Sequence, residues 1–215
     1  MSDSIFHIFS NELFLDLTVY QYGYEKCDPL HSYGPFVRNH YLFHYIISGK
    51  GMLSVTEKDD SAVYHMEAHS GFLIEPGRIN LYSADQKFPW EYVWVEFDGL
   101  RAKELMEEAG LSNDHPVFHP ISDTAADKLR DEMLRLTQYP DNSRPFGIIG
   151  QLYLIMPLSR VLPIKKDFRA ESFQDFTHRK HFLLLNKIIH CQSQSKIWQI
   201  AVILTEAILV KFSKI

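Results

Sequence analysis

The chain has 215 residues, 46% of them hydrophobic and 23% charged, the proportions of one globular domain with room for an appendage. A net charge of -5 supplies no basic face for phosphates, which makes the whole chain a poor nucleic-acid binder. Its two cysteines, Cys27 and Cys191, form neither a disulfide scaffold nor a recognised metal-ligand spacing, and the N-terminus lacks the regions of a signal peptide, so a reduced cytoplasmic protein is expected.

Residues 12–24 alternate Leu13, Leu15, Leu17 and Val19 against Phe14, Asp16, Thr18 and Tyr20, the period-two pattern of a half-buried strand. A loop with Pro29, Gly34 and Pro35 follows. Further strands are predicted at 41–48, 52–58, 62–68, 71–75, 79–84 and 90–97, divided by the turn-forming stretches GKG, KDDS, AHSG, EPGR and ADQKFP. Short strands at this spacing argue for an antiparallel sandwich or barrel.

The period then changes. Asp98 is expected to cap a helix with Ala102, Leu105, Met106 and Ala109 on its apolar face and Gly110 at its C-terminal end. Residues 122–139 repeat the pattern, with Leu129, Met133 and Leu136 on one stripe. A third helix, 144–162, offers Ile148, Ile149, Leu152, Ile155 and Met156, and Pro157 is expected to kink or end it. That apolar surface exceeds what one face of a small sheet covers. The excess is expected to form a homodimer surface around Ile148–Met156, with simple packing on the barrel as the alternative.

The stretch KIWQIAVILTEAILVKFSKI, 196–215, is long enough to span a membrane. Glu206 lies at its middle, and a charge there costs roughly 2.5–3.5 kcal/mol, so no membrane anchor is expected.

Two segments, CDPLHSYGPFVRNHYLFHYIISGKGMLSV and HSGFLIEPGRINLYSADQKFPWEYVWVEFDG, resemble the N-terminal ligand-binding domain of AraC-type transcription regulators, particularly those of oligosaccharide-utilisation operons. A G-x-G, a P-G turn and a W-x-Y-x-W-x-x-F run occur in the family's order and spacing. The resemblance implies an α+β fold: an antiparallel double-stranded β-helix (cupin-like) barrel followed by two or three helices. It implies a ligand-binding and dimerisation domain over 1–165, a linker over 166–182, and a tail, 183–215, where a helix-turn-helix domain would begin. The tail matches nothing in the family. Read one nucleotide earlier, 205–215 can spell a recurrent phrase of the family's first recognition helix, so 183 onward is expected to be an out-of-frame translation. A genuine C-terminal helix is the alternative. On this reading DNA is bound only by an intact full-length form.

On 90–97, Trp90, Tyr92, Trp94 and Glu96 share one face, and Val93, Val95 and Phe97 the other. The aliphatic face is expected beneath the helices, the aromatic face inside the barrel. Aromatic rings with polar tips suit the apolar faces and polar edges of a sugar. Asn80 and Tyr82 share a face after the Pro76-Gly77 turn. The resemblance implies pocket positions for Asn80, Tyr82, Tyr92 and Trp94, and for an arginine in the region of Arg38. A guanidinium there could clasp vicinal hydroxyls, with a surface ion pair as the alternative. His44, and more weakly His31 and Tyr33, complete the candidates for a small-molecule effector, a mono- or oligosaccharide; a structural histidine is the alternative.

The cupin resemblance also implies a second possibility, a metal-dependent enzyme such as a sugar isomerase or dioxygenase. That site needs a His-x-His pair, a later glutamate and a further histidine. His40 and His44, like His65 and His69, are four apart, about 13 Å along a strand, too far to share one ion. No metal or other cofactor is expected, and with no nucleophile elbow, P-loop or dinucleotide motif, no enzyme.

Overall fold

Two antiparallel sheets face each other in the computed structural model, which describes residues 3–8, 14–57, 60–139 and 145–156. All of these lie in one compact unit, Met1–Ala170. The strands are β1 (Asp3–Ile8), β2 (Thr18–Lys26), β3 (Ser32–Val37), β4 (Tyr41–Ser48), β5 (Lys50–Glu57), β6 (Asp60–Glu67), β7 (Gly71–Ile74), β8 (Ile79–Ala84), β9 (Glu91–Asp98) and β10 (Val117–Phe118). Three helices are described: α1 (Ala102–Glu108), α2 (Asp123–Leu136) and α3 (Pro145–Ile155). The larger sheet runs β1-β2-β9-β4-β7-β10 and the smaller β3-β8-β5-β6. Consecutive strands cross between sheets repeatedly, so the two sheets close on one interior as an α+β, cupin-like barrel.

Period-two alternation divides the large sheet's side chains between two cores. Val93, Val95 and Phe97 on β9, with Tyr41, Phe43 and Tyr45 on β4, face outward and pack with Ala102 and Met106 of α1, Leu129 and Met133 of α2, and Leu152 and Ile155 of α3. Leu42 and Ile46 of β4, Phe72 and Ile74 of β7 and Tyr92 of β9 face inward and meet Leu53, Met66, Tyr82 and Ala84 of the small sheet. Two hydroxyls tie the outer layer down: Tyr45 donates to the Ala126 carbonyl and Tyr22 to that of Tyr139, each at 3.0 Å.

The helices obey local rules with one exception. Ser122 caps α2 by accepting the Ala125 N–H at 3.2 Å. Gly110, at φ 79, follows α1 where a left-handed residue ends the helix. Asp98 does not cap α1. Arg101 holds the N-cap position without a side-chain bond, and the Asp98 carboxylate instead accepts the adjacent Gly99 N–H at 2.8 Å. The 12–24 strand likewise begins late, at Thr18, and a bulge between Val19 and Gln21 breaks its simple alternation. β1 and β3 arise where no strand was anticipated. β3 tolerates Gly34 and Pro35 because it is an edge strand, bulged between Tyr33 and Phe36.

In α3, Ile148, Leu152, Ile155 and Met156 are buried in the chain's own core, whereas Phe146, Tyr153 and Leu154 are exposed. Pro157, the linker and the whole apolar tail, including Glu206, lie outside the described residues. No helix among the described residues is long and apolar enough to cross a membrane.

Candidate functional site

The register of β9 against its neighbours assembles the barrel interior in tiers. Trp94 pairs with Gly23 on β2 and His44 on β4, and Glu96 with Gln21 and Leu42. In the small sheet, Tyr82 pairs with Tyr33 on one side and Leu53 on the other, and Asn80 with Phe36 and Val55.

The middle tier is a packed aromatic cluster. His44 stacks on Phe72 with centroids 4.4 Å apart and meets the edges of Tyr82 and Tyr92 at 4.9 Å each. Trp90 lies 5.8 Å from Tyr92 and 6.0 Å from Phe72. His44, Tyr82, Tyr92 and Trp90 are all buried. Burial holds His44 neutral, its pKa well below 6.5, and the positive Arg38 acts in the same direction. Its Nδ1 has no hydrogen-bond partner among the described residues. Burial also raises the Tyr82 and Tyr92 phenols far above their ordinary range, so both stay protonated donors.

One rim of this cluster is polar. Arg38 Nη1 donates to both carboxylate oxygens of Glu96 at 3.4 Å, His40 Nδ1 lies 3.4 Å from the same carboxylate, and Gln21 Nε2 donates to it. The Arg38 and Glu96 side chains are 16% and 7% exposed, so this is no ordinary surface ion pair. Arg38 Nε is shielded from solvent yet makes no hydrogen bond among the described residues. The guanidinium carbon sits 5.6 Å from the Tyr33 ring centroid, and Tyr33 stacks on Tyr82 at 5.7 Å and 7°. Tyr20 stacks on His40 at 3.7 Å. Trp94 is half-buried against Gly23, where an added Cβ would come 3.0 Å from its ring. Asn80 is buried and donates to the Arg78 carbonyl at 3.2 Å.

A second polar group lies lower in the barrel. Glu25 pairs with Tyr92, four residues from Glu96, about 13 Å of strand at roughly 3.3 Å each. At that level Glu25, Cys27 and His31 bring a carboxylate oxygen, a sulfur and a ring nitrogen within 4.8 Å of one another. Tyr92 donates to Glu25 Oε2 at 2.8 Å, and His31 Nε2 approaches Glu25 Oε1 at 3.3 Å. The Cys27 thiol is free and buried, and burial, with the neighbouring Glu25 charge, pushes its pKa up to about 12.

Of the residues expected from sequence, Arg38, Tyr82, Trp94 and Glu96 therefore surround one rim, with Tyr33 beside them. His44 and Tyr92 lie deeper, in the packed tier, and Asn80 is engaged by backbone. His31 belongs to the lower group. His40 and His44 go separate ways, one to Glu96 and one to Phe72. Gln21 and Glu25 are not among the expected residues, and their signal is the period-two row Gln21, Gly23, Glu25, hidden by the bulge; His40, weighed only as a metal ligand, meets Glu96 instead.

A two-sheet barrel with an aromatic interior, a polar rim and helices on its outer face defines a ligand-binding domain of cupin type. The family model of the AraC-like ligand binding domain matches residues 18–156, and the chain belongs to that family. Among curated proteins it is 28% identical over 185 residues to the Msm operon regulatory protein of Streptococcus mutans, covering 85% of this chain and 63% of that one. It is 31% identical over 93 residues to the raffinose operon transcriptional regulatory protein of Pediococcus pentosaceus, covering 42% of this chain and 32% of that one. The chain thus spans less than two thirds of either relative. A cupin superfamily protein from Desulfitobacterium hafniense overlaps 44% of the chain and 76% of its own length, at 6% identity and a TM-score of 0.33.

Proposed function

We propose that the chain is the effector-binding and dimerisation part of an AraC-type transcription regulator, that it is not an enzyme, and that it works in the cytoplasm. The effector is a mono- or oligosaccharide held at the polar rim. The observation that carries this reading is the shielded Arg38–Glu96 pair, with Arg38 Nε unpartnered among the described residues and the guanidinium over the Tyr33 ring. Such a clasp offers donors and acceptors for vicinal hydroxyls, and Tyr33, Tyr82 and Trp94 offer faces for C–H surfaces. The relative named for the raffinose operon supports a sugar. His44, Tyr92 and Trp90, buried and in mutual ring contact with Phe72 and Tyr82, form the floor beneath the ligand.

Dimerisation is assigned to the exposed face of α3, Phe146, Tyr153 and Leu154, since the other apolar residues of that helix are already covered. Ligand shifts such a regulator only by binding one of its two states more tightly than the other.

Calorimetric titration with arabinose, melibiose and raffinose tests the proposal. Saturable heat and a raised melting temperature with one sugar support it; no heat and no thermal shift with any of them refutes it. The packed aromatic tier favours a second reading, a dimerisation module with a filled barrel, and that refuting result is what it requires.

A further inference from the structure

We propose that Glu25, Cys27 and His31 bind a thiophilic divalent ion, with Zn2+ as the type, and leave its fourth coordination position to water. The proposal is independent of the effector reading, because it concerns the opposite end of β9.

The donor set is one carboxylate oxygen, one sulfur and one imidazole nitrogen, the mixture that zinc accepts and that magnesium or calcium does not. Ligands 2.0–2.3 Å from a tetrahedral ion are roughly 3.4–3.8 Å from one another. The three atoms already lie within 4.8 Å, so small side-chain rotations close the site. One divalent ion balances a thiolate and a carboxylate, and the buried site becomes neutral.

Three further observations concern this cluster. His31 Nε2 is shielded from solvent and 3.3 Å from Glu25 Oε1, yet makes no hydrogen bond, so the ring nitrogen is aimed beside the carboxylate and not along it. Trp90 is fully buried beside Cys27, whose N–H its backbone carbonyl accepts at 3.1 Å, and its indole N–H has no hydrogen-bond partner among the described residues. Tyr92 holds Glu25 Oε2 at 2.8 Å, fixing the carboxylate so that its other oxygen turns toward His31. Second donors of this kind orient metal ligands and raise affinity. The ion would tie the end of β2 to the start of β3.

The test uses the full chain, stripped with a chelator and dialysed against Zn2+ or Co2+. The expected result is one ion per chain by elemental analysis, a raised melting temperature, and with Co2+ a thiolate charge-transfer absorption. Cys27→Ser should abolish that absorption, His31→Gln should lose the stoichiometric ion, and Tyr92→Phe should weaken binding roughly 10–100-fold. Cys27 is buried, so if its variant fails to fold the half-buried His31 decides. The proposal is overturned if the wild-type chain takes up no stoichiometric ion. It is also overturned if His31→Gln, folded by circular dichroism, retains the ion, which would place it among the chain's other ten histidines (eleven in all).

Discussion

Replacing Arg38 with methionine removes the guanidinium while keeping much of its apolar stem. Breaking a fully buried pair costs about 3–5 kcal/mol because one charge stays behind uncompensated, whereas exposed pairs contribute about 0–1 kcal/mol. Here the side chains are 16% and 7% exposed, and the contact is 3.4 Å, longer than the roughly 2.7–2.9 Å of a strong charge-assisted bond. His40 and Gln21 also remain to hold the Glu96 carboxylate. Arg38→Met should therefore cost about 1.5–2.5 kcal/mol. Glu96→Gln should cost about 1 kcal/mol, since Arg38 keeps the Tyr33 face and some solvent. The double variant has no orphaned charge, so its loss should fall short of the sum by about 1 kcal/mol or more. Urea unfolding at constant slope measures all three. Single losses below about 0.5 kcal/mol that simply add would refute a shielded, coupled pair. Sugar titration on the same proteins should lose its heat in Arg38→Met.

Stability should also depend on pH through His44, whose folded pKa lies well below 6.5. The unfolded chain takes up this proton and the folded chain resists it, so stability is full above pH 6.5 and is lost as pH falls toward the folded pKa, by about 1.4 kcal/mol per unit. His119 is lowered by burial as well and acts with the same sign, so the observable is the flattening of the acid limb in His44→Gln; an unchanged slope would contradict it. Gly51→Ala should destabilise by about 1–3 kcal/mol, toward the upper end, because its Cβ would stand 2.1 Å from Trp90 Cε3 and that ring is locked among Phe72, Tyr82 and Tyr92. A loss under about 0.5 kcal/mol in denaturant would mean that the indole can move aside. Leu154→Arg, on the exposed face of α3, should leave the melting temperature of the isolated fold nearly unchanged while halving the mass seen by sedimentation. A wild-type chain that sediments as a monomer at every concentration would remove the dimer assignment.

The strands β4 to β9 were legible because each is a short apolar run bounded by turn chemistry, and alternation on β9 correctly separated Tyr92, Trp94 and Glu96 from Val93, Val95 and Phe97. β1 and β3 were not. β3 carries Gly34 and Pro35, which local propensity reads as loop, and only the partner strand β8 makes it a strand. The site divides the same way. That Tyr82 and Tyr92 point inward follows from period two, but that Arg38 meets Glu96, 58 positions away, follows from barrel closure. Glu25, Cys27 and His31 are near in sequence yet match no recognised ligand spacing. They converge because the chain reverses between β2 and β3, with the His31 N–H donating to Asp28 at 3.0 Å and Leu30 at φ 61, a conformation that a leucine does not announce.

The two polar groups of the barrel are not isolated from each other. Arg38 acts on the Tyr82 phenol through its positive charge, Tyr82 and Tyr92 have centroids 6.4 Å apart, and Tyr92 donates to Glu25. An effector that draws Arg38 toward its hydroxyls changes the field on Tyr82, and an ion on Glu25 Oε1 changes the charge that the Tyr92 hydroxyl meets at Oε2. Binding at the two ends is then linked, and linkage is reciprocal: the factor by which Zn2+ changes sugar affinity must equal the factor by which sugar changes Zn2+ affinity. Titrating each in the absence and presence of the other measures both factors. Tyr92→Phe should bring both to one while leaving the Arg38 clasp in place. Equal factors that persist in that variant would show that the coupling runs through the backbone of β9 and not through the phenols.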